Sequence, residues 1–169
     1  NQAEFKAAAG AWVSDADRAE LSYGPIAGWD TSKVTDMNAI FSGSSDFNAD
    51  ISRWDTSSVA RTDHMFNGAT NFNADISKWV TTSIVYMGWM FSGASSFDQD
   101  ISGWDTRQVT RMTNIFQGAI NFNGDLSKWV TGKGGKIGGN YKLSYHLMSN
   151  GDCFKITCAE GVKQGAPAT

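Results

Sequence analysis

The sequence predicts an α/β solenoid: a right-handed coil with one short parallel strand and one short helix per 25-residue repeat, capped at both ends. Three observations carry this. Trp29, Trp54, Trp79, Trp104 and Trp129 recur every 25 residues, and so do Phe41, Phe66, Phe91, Phe116 and Phe47, Phe72, Phe97, Phe122. A fixed period of this length marks a chain whose units bury their apolar residues only against neighbouring units. Finally, each unit pairs a stripe spaced for a helix with a run that alternates like a strand.

In chain order, residues 1–28 read as an N-terminal cap. Residues 4–13 form an alanine-rich helix that puts Phe5, Ala8, Ala9 and Trp12 on one face, and residues 23–28 stand in register with 48–53 as a degenerate first strand. The repeat body covers 29–131, with full units at 29–53, 54–78, 79–103 and 104–128 and the start of a fifth at Trp129. In the first unit Val34, Met37, Ile40, Phe41 and Ser44 are spaced 3, 3, 1 and 3, one stripe of a short helix facing inward. Asp30, Thr31 and Ser32 precede it and offer oxygens to the first turn's free N–H groups, so the column Thr31, Thr56, Thr81, Thr106, Thr131 reads as helix N-caps. Gly43, Gly68, Gly93 and Gly118 follow each helix and suit a left-handed residue.

The second half of the unit, 47–52, alternates Phe, Ala and Ile with Asn, Asp and Ser, a half-buried strand. Stacked units would pair these strands in parallel at roughly 4.8 Å. Thr62 interrupts a methionine column and reads as a local irregularity. An open-ended stack exposes an apolar face, so the C-terminal end needs covering as well. Tyr141, Leu143, Tyr145 and Leu147 alternate toward the turn signal Asn150-Gly151, which makes 132–164 a hairpin cap. Residues 165–169 read as a tail.

At 169 residues, 41% hydrophobic and 18% charged, the chain is one folded domain. Its net charge of −3 gives no electrostatic case for nucleic acid. The charge is uneven: residues 1–127 carry eight basic and fifteen acidic side chains, while six lysines face Asp152 and Glu160 from Lys128 onward. No apolar run is long enough for a transmembrane helix. The opening Asn1-Gln2-Ala3 lacks Met and reads as a mature or trimmed form, which leaves a removed signal sequence open. Cys153 and Cys158 form a disulfide if a turn separates them; on one continuous strand they would point to opposite faces.

Written out, the unit Trp104-Asp105-Thr106-x-x-Val109-Thr110-x-Met112-x-x-Ile115-Phe116-x-Gly118-Ala119-x-x-Phe122-Asn123-x-Asp125-Leu126-Ser127 resembles the BspA-like leucine-rich-repeat surface proteins, in the branch common among mycoplasma lipoproteins. The resemblance covers residues 23 to 131. It implies a leucine-rich-repeat-like solenoid displayed at a cell surface, extracellular or in an organelle lumen, engaged in adhesion or protein binding. It supplies no catalytic residue, and the chain lacks a visible lipid-attachment cysteine.

The candidate chemistry is sparse. Asp50, Asp75, Asp100 and Asp125 form an acidic column beside Asn48, Asn73, Asp98 and Asn123. Oxygen-only ligands suit Ca²⁺; the alternative is that each Asp accepts hydrogen bonds from its own backbone or a neighbouring Ser. Tyr86 stands where other units place Asp36, Arg61 and Arg111, and Trp89 where they place Ala39, His64 and Asn114, so the third unit displays two aromatics suited to a partner contact. His64 and His146 pair with no nucleophile, and no Cys-x-x-Cys, phosphate loop or dinucleotide fingerprint occurs, so neither an enzyme nor a zinc site is expected. Three readings remain: a binding module for a protein or surface glycan, a structural subunit of a larger assembly, and an ice-binding solenoid that uses the Thr31–Thr131 and Ser52–Ser127 hydroxyl columns.

Overall fold

The computed structural model describes residues 1–126, 128 and 129. The expected hairpin cap, the tail and both cysteines lie outside the described residues. Helix α1, Gln2–Ser14, is longer than the sequence suggests because Asn1 caps it: its side chain accepts from the Ala3 and Glu4 N–H groups, and Glu4 closes the capping box. Phe5, Ala8 and Ala9 are buried, with Trp12 packed against the same core. Asp15, in extended backbone, ends α1 and caps α2, Ala16–Tyr23, by accepting from the Arg18 N–H. The expected degenerate strand at 23–28 is instead a turn, with Gly24 at φ 74° and a single 3₁₀ turn over Ile26–Gly28, but the expected register holds: the Trp29 N–H donates to the Ile26 carbonyl as Trp54 does to Ile51.

Beyond Trp29 successive units lie side by side in register. The Trp29–Trp54–Trp79–Trp104–Trp129 rings stack at centroid separations of 6.1, 6.5, 6.3 and 6.1 Å. Phe41, Phe66, Phe91 and Phe116 follow at 6.0, 5.7 and 5.5 Å, and Phe47, Phe72, Phe97 and Phe122 at 5.9, 5.8 and 5.5 Å. Within each unit the two phenylalanines pack face to face, 3.7 Å apart in the first and second. Each indole also ties its unit backward. Trp54 Nε1 donates to the Ile26 carbonyl at 2.9 Å, and Trp79, Trp104 and Trp129 donate to those of Ile51, Ile76 and Ile101 at 3.1 Å each. A buried indole N–H thus finds its acceptor in the preceding unit, so apolar stacking and polar pairing fix the same register.

The stripe expected to be helical is a succession of turns, and the reason is spacing. An α-helix is about 10 Å across, whereas rings in this stripe repeat every 5.5–6.0 Å from unit to unit. A helix in every unit would not fit, so alternate N–H groups bond across units. Met37, Ala39, Phe41 and Gly43 donate to the carbonyls of Arg61, Asp63, Met65 and Asn67 at 2.8, 3.0, 3.1 and 2.6 Å, while Ser42 and Ser44 donate within the unit to Ala39 and Phe41. The next two units repeat this pattern. Turning alternate amides outward forces left-handed backbone at Ala39, His64, Trp89 and Asn114 (φ 54–57°) and at Gly43, Gly68, Gly93 and Gly118 (φ 73–79°). The glycines behave as expected; the non-glycine column is strained in a way the sequence does not announce.

Parallel pairing also falls elsewhere than expected. Single parallel bridges join Asp36 to Arg61, Arg61 to Tyr86 and Tyr86 to Arg111. At 47–52 the units are linked by side chains instead of a strand ladder: the Asn48, Asn73 and Asp98 carboxamide or carboxylate oxygens accept the N–H groups of Asn73, Asp98 and Asn123 at 2.8, 2.9 and 3.0 Å.

The N-terminal cap closes part of the first unit's free edge. The Gln2 side-chain amide donates to the Asp36 carbonyl at 2.6 Å and accepts from the Thr35 and Asp36 N–H groups at 3.0 and 3.1 Å, standing in for the peptide group of a missing unit. One position in this unit is imperfect. Ser44 occupies the column of the fully buried Ala69, Ala94 and Ala119, and its Oγ is shielded without a hydrogen-bond partner. Ser44→Ala should therefore stabilise the protein by about 1 kcal/mol, because an unsatisfied hydroxyl is removed and a methyl already fits. A thermal melt by circular dichroism reads this as a rise of roughly 2–4 °C; an unchanged or lower midpoint contradicts the unsatisfied state of the hydroxyl.

Candidate functional site

The two aromatics singled out in the third unit lie three residues apart, Tyr86 at the parallel bridge and Trp89 in the turn that follows it. Tyr86 is the bridge residue of its unit, 38% exposed, and its ring lies between two guanidinium groups: Arg61 Cζ is 5.5 Å and Arg111 Cζ 5.9 Å from its centroid. Register explains this, since residues 25 apart stack and the column reads Asp36, Arg61, Tyr86, Arg111. Such cation–π contacts contribute about 0.5–1 kcal/mol each at exposed sites and hold the phenol in place. Trp89 is half-buried, sits in left-handed backbone and stacks on His64 at 5.1 Å with an interplanar angle of 5°. Neither is therefore on a helix face, as the spacing suggested: Tyr86 sits at the bridge and Trp89 on the turn after it, in backbone that the Met87 and Trp89 hydrogen bonds tie to the fourth unit.

Around it lies a polar network that sequence reasoning missed. Lys6 of α1 pairs with Asp36 at 2.7 Å. Arg61 grips Asp63 with the Nε/Nη2 edge of its guanidinium, Nη2 reaching Oδ2 at 2.9 Å, and Asn38 donates both to the Asp63 carbonyl at 2.9 Å and to its carboxylate. The hydrogen bond to Asp63 pushes the Arg61 pKa up. Burial raises the Asp36 pKa, but hydrogen bonds from Lys6 and the Asn38 N–H outweigh that and leave it lowered. Thr62 is part of this arrangement and no irregularity: fully buried, its hydroxyl donates to the Tyr86 carbonyl at 3.2 Å. The Arg–Tyr–Arg column was legible from the 25-residue register; the Thr62 bond depends on a backbone no spacing reveals.

The acidic column is spread along the units and does not converge. Asp50, Asp75 and Asp100 each accept the N–H of the serine two residues on, Ser52, Ser77 and Ser102, at 2.9 Å, and the exposed Asp125 continues the column. Serine hydrogen bonds lower the pKa of Asp50, Asp75 and Asp100. These are Asx turns, in which the carboxylate stabilises its own corner. Among the described residues, no group of three or more His, Cys, Asp or Glu is placed to hold a metal ion. Asp105 shows the same device at the other corner, where the side-chain hydrogen bond from Arg107 brings its pKa to about 2.

The threonine column serves neither as helix caps nor as an outward hydroxyl plane. Thr31, Thr56 and Thr81 are buried, and their hydroxyls donate to the carbonyls of Asp55, Val80 and Asp105 in the next unit at 3.0, 2.9 and 3.1 Å. The turn-starting acceptors are the aspartates before them: Asp30 and Asp55 each accept both the N–H and the hydroxyl of Ser32 and Ser57. Thr31, Thr56 and Thr81 therefore present no hydroxyl to solvent.

A chain that stacks one 25-residue unit in register through aromatic columns and cross-unit hydrogen bonds is a tandem-repeat protein. It belongs to the family described as Mycoplasma protein of unknown function, DUF285, whose family model matches residues 12–129. No curated protein and no solved structure matches the chain. Among the described residues no helix is long and apolar enough to cross a membrane.

Proposed function

We propose that the protein is a non-catalytic binding module, a solenoid of the leucine-rich type like the BspA-like surface proteins, which contacts a protein or surface glycan outside the cytoplasm. The observation that supports this best is Tyr86, an exposed aromatic held rigidly between Arg61 and Arg111, with Trp89 three residues on. Pre-positioned Tyr, Trp and Arg side chains give contact area at low entropic cost, which is why they dominate interface energetics.

The test is the double variant Tyr86→Ala/Trp89→Ala, immobilised beside the wild type and exposed to a surface extract of the source cells. The fold should survive, because Ala39 already adopts the same left-handed backbone in the first unit. Wild-type protein should retain a defined set of partners that the variant loses by about tenfold or more, as removal of two central aromatics predicts. Equal retention by two forms with equal melting points rejects this face as the contact.

A further inference from the structure

Among the described residues, the free edge of the first unit is closed by α1 at one end and by nothing at the other, and the second and third units state what that end lacks. In the second and third units the Asn71 and Ser96 N–H groups donate to the Ser45 and Thr70 carbonyls at 2.9 and 3.0 Å, and the Thr70 and Ser95 hydroxyls donate to the same two carbonyls. The Asn73, Asp98 and Asn123 N–H groups donate to an Asn or Asp side chain one unit back. The first unit's equivalents are the Asp46 N–H, the Ser45 hydroxyl and the Asn48 N–H. None has a partner among the described residues, and all three residues are exposed. Residues one unit upstream, Glu20 to Tyr23, are wound into α2 and run as no matching segment.

Beside this edge is a cavity of about 370 Å³ lined by Trp12 and Asp15 on the helical side and by Ser44, Asp46 and Phe47 on the other. Phe47 is the first ring of its column and has no ring in register before it, whereas Phe72, Phe97 and Phe122 each stack on a predecessor.

We propose that this edge binds an extended peptide segment of a partner protein, one that supplies a main-chain carbonyl, an aromatic ring two residues on and an Asn or Asp next to it. Such a segment gives the Asp46 and Asn48 amides the acceptors that their equivalents in the second and third units find one unit back, and seats a ring against Phe47. This is strand-addition logic applied to a unit edge: main-chain hydrogen bonds supply affinity, and the aromatic and amide supply selectivity. Cap and groove divide the edge between them, Gln2 filling the Thr35–Asp36 end and the partner the Ser45–Asn48 end. The proposal does not rest on the Tyr86–Trp89 face.

The probe is a blocked synthetic peptide copying residues 43–50 of this chain, titrated into ¹⁵N-labelled full-length protein. Saturable shifts of the Asp46 and Asn48 amide signals are expected. Replacing the peptide's own phenylalanine or asparagine by alanine should weaken binding by about tenfold, the size of one lost directional contact. Both effects should persist in Tyr86→Ala/Trp89→Ala, which separates this result from the fate of the other face. Unmoved amides at millimolar peptide overturn the proposal. So do equal affinities for the substituted peptides, the same shifts produced by a cello-oligosaccharide, or self-association of the protein that the peptide abolishes, which would make a second copy the occupant.

Discussion

Phe91→Ala should cost about 3–5 kcal/mol, the range for removing a fully buried aromatic ring. Phe91 has no exposed surface and meets five rings: Phe97 at 4.1 Å, Phe116 at 5.5 Å, Phe66 at 5.7 Å, Trp104 at 6.1 Å and Phe72 at 6.4 Å. Collapse into the void is blocked on both sides, because the neighbouring units are pinned by cross-unit hydrogen bonds at Phe66, Gly68, Trp89 and Gly93 and cannot close the gap without breaking them. A unit in a stacked array has no core of its own, so both neighbours share the loss. Urea unfolding followed by tryptophan fluorescence and by far-ultraviolet circular dichroism gives the measurement. Leu21→Ala, at an 89% exposed position, is the control and should stay within about 0.5 kcal/mol. A Phe91→Ala midpoint no lower than the control's would mean that the rings do not form a shared interior.

What the sequence made legible was register. Five tryptophans and eight phenylalanines at equal intervals left one way to bury them all, each column stacked on itself, and the columns are where the intervals put them. Local backbone was not legible. The spacing of Val34, Met37, Ile40, Phe41 and Ser44 is met equally by a helix and by turns closed with i to i+3 bonds, and periodicity alone cannot separate them. Unit spacing does separate them: columns of rings at stacking distance exclude a helix about 10 Å wide. Threonine and asparagine misled for a related reason. Their side chains cap helices and edge strands in isolated elements, but in a repeat the nearest unpaired group is the next unit, so Thr31 reaches Asp55 and Asn48 reaches Asn73.

The same logic bears on the candidate face. A column position that departs from its neighbours is free of the stack's demands only if the backbone tolerates it, and the 39/64/89/114 column is a hard test because its residues sit at φ 54–57°. Asn114 is at ease there, whereas Trp89 and His64 bear about 1–2 kcal/mol of backbone strain each. Their mutual stacking at 5.1 Å offsets part of that cost. Backbone strain of this kind supports the proposal that this face is a contact surface.

Gly93→Val should destabilise the protein by about 3 kcal/mol, from two sources that a comparison within the same column separates. Gly93 lies at φ 73°, where an L-residue costs about 1–2 kcal/mol and a β-branched one is a genuine outlier. A Cβ there would also stand 3.4 Å from the Gly68 Cα and N, and one at Gly118 3.3 Å from those of Gly93. The glycines are thus packed backbone against backbone, and the inserted isopropyl group must push the second and third units apart, against the 2.7 Å bond from the Gly68 N–H to the Ser92 carbonyl and the 2.9 Å bond from Phe66 to Met90. Gly43 has nearly the same φ, 76°, but heads the column with nothing within 4 Å of its Cβ. Gly43→Val should therefore carry only the conformational cost, and Gly93→Asn less than Gly93→Val, since Asn visits left-handed backbone readily. Chemical denaturation of the three variants gives the ordering. If Gly43→Val and Gly93→Val cost the same within about 0.5 kcal/mol, close stacking of the units contributes nothing at this column, and φ alone explains why glycine recurs there.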